Sequence, residues 1–237
     1  MKKRLYVLYI CMSIIWPQAY AGQQSVTLGA SLFPPSAYID KGTGKCVGEN
    51  IDVTSKILAH YNIKLEVVCT LPARMYILVK NSEVDFTINP KSTKALSPYF
   101  KFVEPPFKKL VINLYRYDTN SEFKTISAIL GFDYNGMRQK LVDQNYQFVD
   151  LPTAESALQL FLKRRSDALV SYQSNVDHLK RQNAKMFSKE ITVTPLLEVN
   201  AYYGITKGSA NFDLLWHVLN DYAEQHSLEY FVPQKAD

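Results

Sequence analysis

Gly42-Thr43-Gly44-Lys45-Cys46 joins glycines to a lysine, the residue types with which a loop cradles phosphate. A phosphate loop also needs a hydroxyl side chain after its lysine to hold magnesium, and a glycine at its start. Cys46 and Ile39 occupy those two positions, so the segment reads as a flexible turn. His60, His178, His217 and His226 are scattered without a His-Glu-x-x-His pair, and neither Cys46 nor Cys69 belongs to a Cys-x-x-Cys pair. The sequence therefore predicts no metal site and no cofactor. It also has no Gly-x-Ser-x-Gly elbow to expose a nucleophile, and no evident paired carboxylates. What remains is binding chemistry: aromatic, hydroxyl, amide and carboxylate side chains in segments that also carry Pro and Gly.

Such side chains need a scaffold, and the apolar pattern describes one. Residues 24–30 read as a strand ended by Phe33-Pro34-Pro35-Ser36, since proline cannot continue a ladder. A helix is predicted over 48–61, a strand over 63–69, a short helix from Pro72 to Lys80 and a strand over 84–88. The alternation then repeats: strand 127–130, helix 135–144, strand 146–149. Next comes a helix in which Ala154, Ala157, Leu158, Phe161 and Leu162 form one apolar stripe. A strand over 167–171 and a helix over 175–182 complete a second α/β unit. Residues 110–117 and 201–206 are extended and apolar, and Phe212, Leu215, Trp216 and Leu219 mark a last helix that needs a core to cover. If that helix returns to the first unit, the chain crosses between two lobes twice, and the two extended segments are hinges flanking a cleft.

The N-terminus bounds the compartment. Met1-Lys2-Lys3-Arg4 precedes an apolar run too short to span a bilayer, then Ala19-Tyr20-Ala21, so a signal peptide cut after Ala21 is expected. Cys11 lies inside the apolar run behind the bulky Ile10, which disfavours lipidation. The leader holds three of 27 basic residues and none of the 22 acidic ones, leaving 24 basic against 22 acidic, a net of +2. That balance gives no reason to expect a nucleic-acid partner. Cys46 and Cys69 remain, and in an oxidising periplasm they are expected to pair, the alternative being two separate buried thiols.

Several stretches, in order, resemble bacterial extracellular solute-binding protein family 3, the type II periplasmic binding proteins of polar amino acid uptake. They are Phe33-Pro34-Pro35-Ser36-Ala37-Tyr38-Ile39-Asp40, Gly48-Glu49-Asn50-Ile51-Asp52-Val53, Leu71-Pro72-Ala73-Arg74, and Ser82-Glu83-Val84-Asp85. Thr93, the segment from Phe102 to Phe107, Gly131-Phe132-Asp133-Tyr134, and Leu162-Lys163-Arg164-Arg165-Ser166-Asp167-Ala168 continue the match. The resemblance implies a two-lobed α/β fold, each lobe a mostly parallel sheet flanked by helices, joined by two hinge strands. Lobe 1 is expected over 22–116 and 205–237, lobe 2 over 117–204. It further implies a non-catalytic monomer that takes a small solute between its lobes and delivers it to an ABC-type permease, or presents it to a membrane receptor such as a kinase or cyclase. A few dehydratases use this fold, and Asp133 and Glu49 are the carboxylates such an enzyme could draw on.

The departures bear on the ligand. The family's carboxylate-binding Arg and ammonium-binding Asp fall at Leu96 and Tyr172, so the usual clamp for a free α-amino acid is absent. Arg74 is the substitute anion anchor, or else a surface arginine. Ser36 stands where an aromatic commonly stacks, leaving Phe33, Tyr38, Phe132 and Tyr134 to supply rings. Asp133 could meet an amine or cap the following helix. Asn89 and Thr93 are candidates for neutral hydrogen bonds, and Tyr172 for the second-lobe wall.

Overall fold

A computed structural model describes residues 23–117, 124–182, 184–187 and 191–233, and the expected leader over residues 1–21 lies outside them. In chain order the elements are β1 (Ser25–Ser31), β2 (Tyr38–Ile39), β3 (Cys46–Val47), α1 (Glu49–His60), β4 (Lys64–Thr70), α2 (Pro72–Lys80), β5 (Phe86–Pro90), β6 (Phe100–Phe102) and β7 (Lys108–Tyr117). They continue as β8 (Thr125–Ile129), α3 (Met137–Asp143), β9 (Gln147–Leu151), α4 (Ala154–Leu162), β10 (Ala168–Tyr172), α5 (Gln173–Gln182), β11 (Ile191–Thr206) and α6 (Phe212–Gln225). Among the described residues no helix is long and apolar enough to cross a membrane.

The two lobes share one continuous sheet, ordered β4-β1-β5-β11-β7-β10-β8-β9, with β6 also paired to β11. The outer strands of each half are parallel to one another: β4, β1 and β5 on one side, β10, β8 and β9 on the other. Between them β5-β11-β7-β10 run antiparallel. Helices cover the parallel strands, and β10 is buried at every residue, as expected of a parallel strand packed on both faces.

Local chemistry explains the elements. Pro72 stands at the start of α2, where its missing N–H costs nothing, and Met75, Leu78 and Val79 turn inward. Thr153 and Ser156 form a reciprocal cap on α4, whose Ala154, Ala157, Leu158 and Phe161 are buried, matching the stripe read from the sequence. Leu215, Val218 and Leu219 of α6 join Val26 and Leu28 in one core cluster, so the last helix does return to the first unit. A separate cluster around Ile112, Ile126 and Val170 fills the second unit. Cys46 and Cys69 are disulfide-bonded, 5.9 Å apart at Cα, which ties β3 to β4.

One device is used twice. In the first unit the Asp85 carboxylate accepts the Thr27 amide of β1 at 2.7 Å while the Asp85 amide donates to the Thr27 carbonyl. In the second unit Asp167 accepts the Thr125 amide of β8 at 2.8 Å and its own amide donates to the Thr125 carbonyl. Each carboxylate clasps the first strand of its unit to the segment that enters a neighbouring strand. This gives a physical role to the two aspartates that the resemblance singled out.

The sequence reading differs from the structure mainly in β11. The expected strand begins at Ala201, whereas the observed one begins at Ile191. Pro195 lacks an amide for the ladder and Thr192, Thr194 and Asn200 dilute the apolar pattern, yet pairing with β7 carries the strand through them, with a register shift between Pro195 and Leu197.

Candidate functional site

The site begins with Gly48. Its φ of +143° suits glycine, and a Cβ there would lie 2.5 Å from the Ser36 carbonyl oxygen. That close approach lets the amides of Glu49 and Asn50 donate to the carbonyls of Pro35 and Ser36, fastening the first loop to the start of α1. The result is a fixed Ser36, 3% exposed, on the wall of a cavity of about 310 Å³.

That cavity has one wall from the loop and strand ends of the first lobe and another from the second. Phe33, Ser36, Asn89 and Thr93 line it from the first lobe, and Phe132, Asp133 and Tyr172 from the second. These seven expected site residues are thus brought together. The aromatic rings meet across the cleft: Phe33 is stacked with Phe132 and edge-on to Tyr172, with centroids 6.1 and 4.9 Å apart. Tyr76 of α2 reaches from the first lobe to the Gly131 carbonyl, 3.5 Å away, and Asn175 donates to the Pro34 carbonyl. Burial first, and then the Asp133 carboxylate, push the Tyr76 hydroxyl above its ordinary value.

Three expected residues stand elsewhere. Arg74 is exposed on α2 and outside the cavity lining, because the inward positions of that helix are taken by Met75, Leu78 and Val79. Tyr38 is half-buried with its ring 5.8 Å from that of His178, also outside the lining. Tyr134 is 1% exposed beneath the cavity, where its hydroxyl accepts the Ile129 amide at 2.8 Å, and burial pushes its pKa well up. Leu96 is fully buried with Met75 and Phe100, so it packs the core and offers the cleft no charge. Asp133 accepts the Asn135 amide at 3.0 Å in a turn ahead of α3, and it also faces the cavity.

Several cavity residues were not anticipated. Lys108, at the start of β7, is 8% exposed; its Nζ donates to Ser36 Oγ at 2.7 Å and lies 3.3 Å from Glu49 Oε2. Burial lowers its pKa, while Glu49 acts in the opposite sense. Extending the predicted strand by two residues would have put Lys108 on the face of Leu110, which also lines the cavity. Asn50, Tyr76, Ser92, Lys94 and Asn135 line it as well. Behind the lining, Arg138 holds the Phe132 loop: its Nε donates to the Phe132 carbonyl at 2.7 Å and its guanidinium pairs with Asp150 at 2.7 Å. No sequence spacing announces that pairing, because the two partners come from successive elements. Among the described residues no group of three or more potential metal ligands is found.

No protein-family profile matches the chain, and no curated protein matches it. Solved structures do. An arginine-bound, truncated arginine-binding protein from T. maritima is 15% identical with a TM-score of 0.68, covering 85% of this chain and 96% of that one. A histidine kinase sensor domain with similarity to periplasmic binding proteins is 18% identical with a TM-score of 0.71, covering 86% and 92%. The substrate-binding protein of an amino acid ABC transporter is 18% identical with a TM-score of 0.69, covering 87% and 95%. At these identities the likeness speaks for architecture alone, and it agrees with the lobes, the shared sheet and the cleft: this chain has the two-lobed fold of the periplasmic binding proteins.

Proposed function

We propose that this chain is an exported, periplasmic solute-binding protein of the family 3 type, which captures a small polar solute between its lobes and delivers it to an ABC-type permease. The observation that carries the reading is the cavity itself, walled by residues of both lobes and crossed by the Phe33–Phe132 contact. A solute touching both walls stabilises the closed arrangement by the difference in its affinity for closed and open forms, and the closed shape is what a membrane partner reads. No chemical step is needed. In this reading lobe 1 comprises residues 22–116 and 205–237, lobe 2 residues 117–204, and the leader is removed after Ala21.

The test is a thermal-shift screen of amino acids, amines and small carboxylates, with interlobe distance followed by small-angle scattering. A binder raises the melting temperature and shrinks the particle. A screen in which nothing shifts the melting point, or in which binders leave the lobes unmoved, sinks the reading.

Presentation to a membrane receptor is the second reading, favoured by the likeness to a histidine kinase sensor domain. Co-purification of the tagged, ligand-loaded protein with a permease or with a receptor separates the two.

A further inference from the structure

We infer that the cleft takes a small organic monocation, an ammonium on a flat, mostly apolar body, with the ammonium held by Asp133 among the aromatic rings of the cleft. The inference rests on the solute-binding reading and names its ligand class.

Lys108 and Asp133 bring opposite charges to the cavity from opposite lobes, and only Lys108 already has its counter-ion. Its Nζ donates to Ser36 Oγ at 2.7 Å and lies 3.3 Å from Glu49 Oε2, so its positive charge is offset within the protein. Asp133 is half-buried, and among the described residues no lysine, arginine or histidine pairs with it. Its Oδ1 accepts the Asn135 amide at 3.0 Å, a bond to a neutral donor that leaves the negative charge in place. Arg138 is committed to Asp150 and to the carbonyls of Phe132 and Ile129. Lys94, the other lysine of the lining, is exposed, so solvent screens it. The charge left without a partner in the cavity is therefore negative, and a cationic ligand group supplies what it lacks.

The surroundings of Asp133 favour the same sign. The preceding Phe132 ring is edge-on to Tyr172, with centroids 6.0 Å apart, and Phe33 closes on both from the first lobe. Burial pushes the Tyr76 and Tyr172 hydroxyls up, and the nearby Asp133 carboxylate adds to both shifts, so these phenols are neutral at pH 7. Neutral aromatic rings carry negative faces, which attract an ammonium and repel a carboxylate. An anion entering this half of the cavity would meet Asp133 and those faces together.

Size defines the remainder. The cavity of about 310 Å³ is roughly twice the ~150 Å³ that encloses benzene, enough for one ring and a short polar arm. A carboxylate added to such a ligand would have to share Lys108 with Glu49, so it brings no gain in affinity.

The experiment is isothermal titration of the exported protein with phenethylamine, phenylalanine, 3-phenylpropanoate and 2-phenylethanol, which share a ring and a short arm and differ in charge. Phenethylamine is expected to bind at least tenfold more tightly than 3-phenylpropanoate and 2-phenylethanol, and at least as tightly as phenylalanine. Asp133→Asn keeps an acceptor for the Asn135 amide and removes the charge. It is expected to weaken phenethylamine at least tenfold and bring it close to 2-phenylethanol, with Asp133→Ser used if the Asn variant does not fold. Phenylalanine binding more tightly than phenethylamine, 3-phenylpropanoate or 2-phenylethanol matching it, unchanged phenethylamine affinity in a folded Asp133 variant, or no binding across the series each overturns the inference. Closure on some other solute in the broader screen would then leave the solute-binding reading standing, whereas failure of that screen removes both.

Discussion

The rings of Phe33 and Phe132 lie within 5° of parallel, 6.1 Å apart, one carried by each lobe. With Tyr172 edge-on to both, they form an apolar contact that holds the lobes together across the cleft. An aromatic pair of this kind contributes about 0.5–1.5 kcal/mol beyond its buried area. Phe132→Ala should therefore shift the ligand-free balance toward the open form by about two- to tenfold. Paired spin labels on the two lobes would read that shift, and an unchanged distance distribution would count against the contact.

Arg138 sets the position of that ring from behind. It donates to the carbonyls of Phe132 and Ile129, pairs with Asp150, and lies over the Phe148 ring, 4.3 Å from its centroid. The pair is partly solvated, so Arg138→Ala should cost about 1–2 kcal/mol in urea unfolding, less than a fully buried charge would. Ligand affinity should fall as well, because the Phe132 loop loses its anchor. Lys in its place keeps the charge but not the fork, and should recover only part of the loss.

The Asp167 clasp predicts an acid-side signature. Hydrogen bonds from Thr125 Oγ1 and from the Lys124 and Thr125 amides hold its carboxyl below the ordinary value of 3.8. A depressed folded pKa means that its stabilisation is fully present above the unfolded value and lost as pH falls through the folded one. Stability measured by denaturant between pH 5 and pH 2 should therefore decline more steeply for the parent chain than for Asp167→Asn. Parallel curves would show that the clasp is not ionisation-dependent.

The Cys46–Cys69 bond closes a loop of 23 residues' separation against the core of the first unit. By chain entropy such a loop stabilises by roughly 3 kcal/mol. Replacing both cysteines with serine should lower the unfolding free energy by about that amount while leaving the second unit's core intact. Hydrogen exchange resolved by segment would separate the two lobes.

The sequence was most informative where periodicity is strict. The α4 stripe and the Pro72 start of α2 both had a pattern that matched their observed role. The glycine-led start of α1 was visible too, although not its reason, which is the 2.5 Å approach to the Ser36 carbonyl. Reading failed where tertiary pairing or direction decides. Pro195 hid half of β11, and Arg74 stands out because a helix start suggests an anion site, yet it lies outside the cavity lining, whereas Lys108, which only the strand register places there, carries no signal of its own. Arg138 carried no signal at all, since its partner Asp150 lies on the next strand and its other contacts are carbonyls.

β7 and β11 are hydrogen-bonded to each other from Lys108 and Ala201 through to Tyr117 and Ile191. Two independent tethers would let the lobes swing about many axes. A paired ribbon resists shear and in-plane bending, which break ladder bonds, but it twists with the bonds intact. The lobes are thus mounted on a paired ribbon, interrupted at the slip beside Pro195, in which twist is a soft coordinate. Label pairs placed at several positions across the ribbon should then report distance changes that fit a common twist.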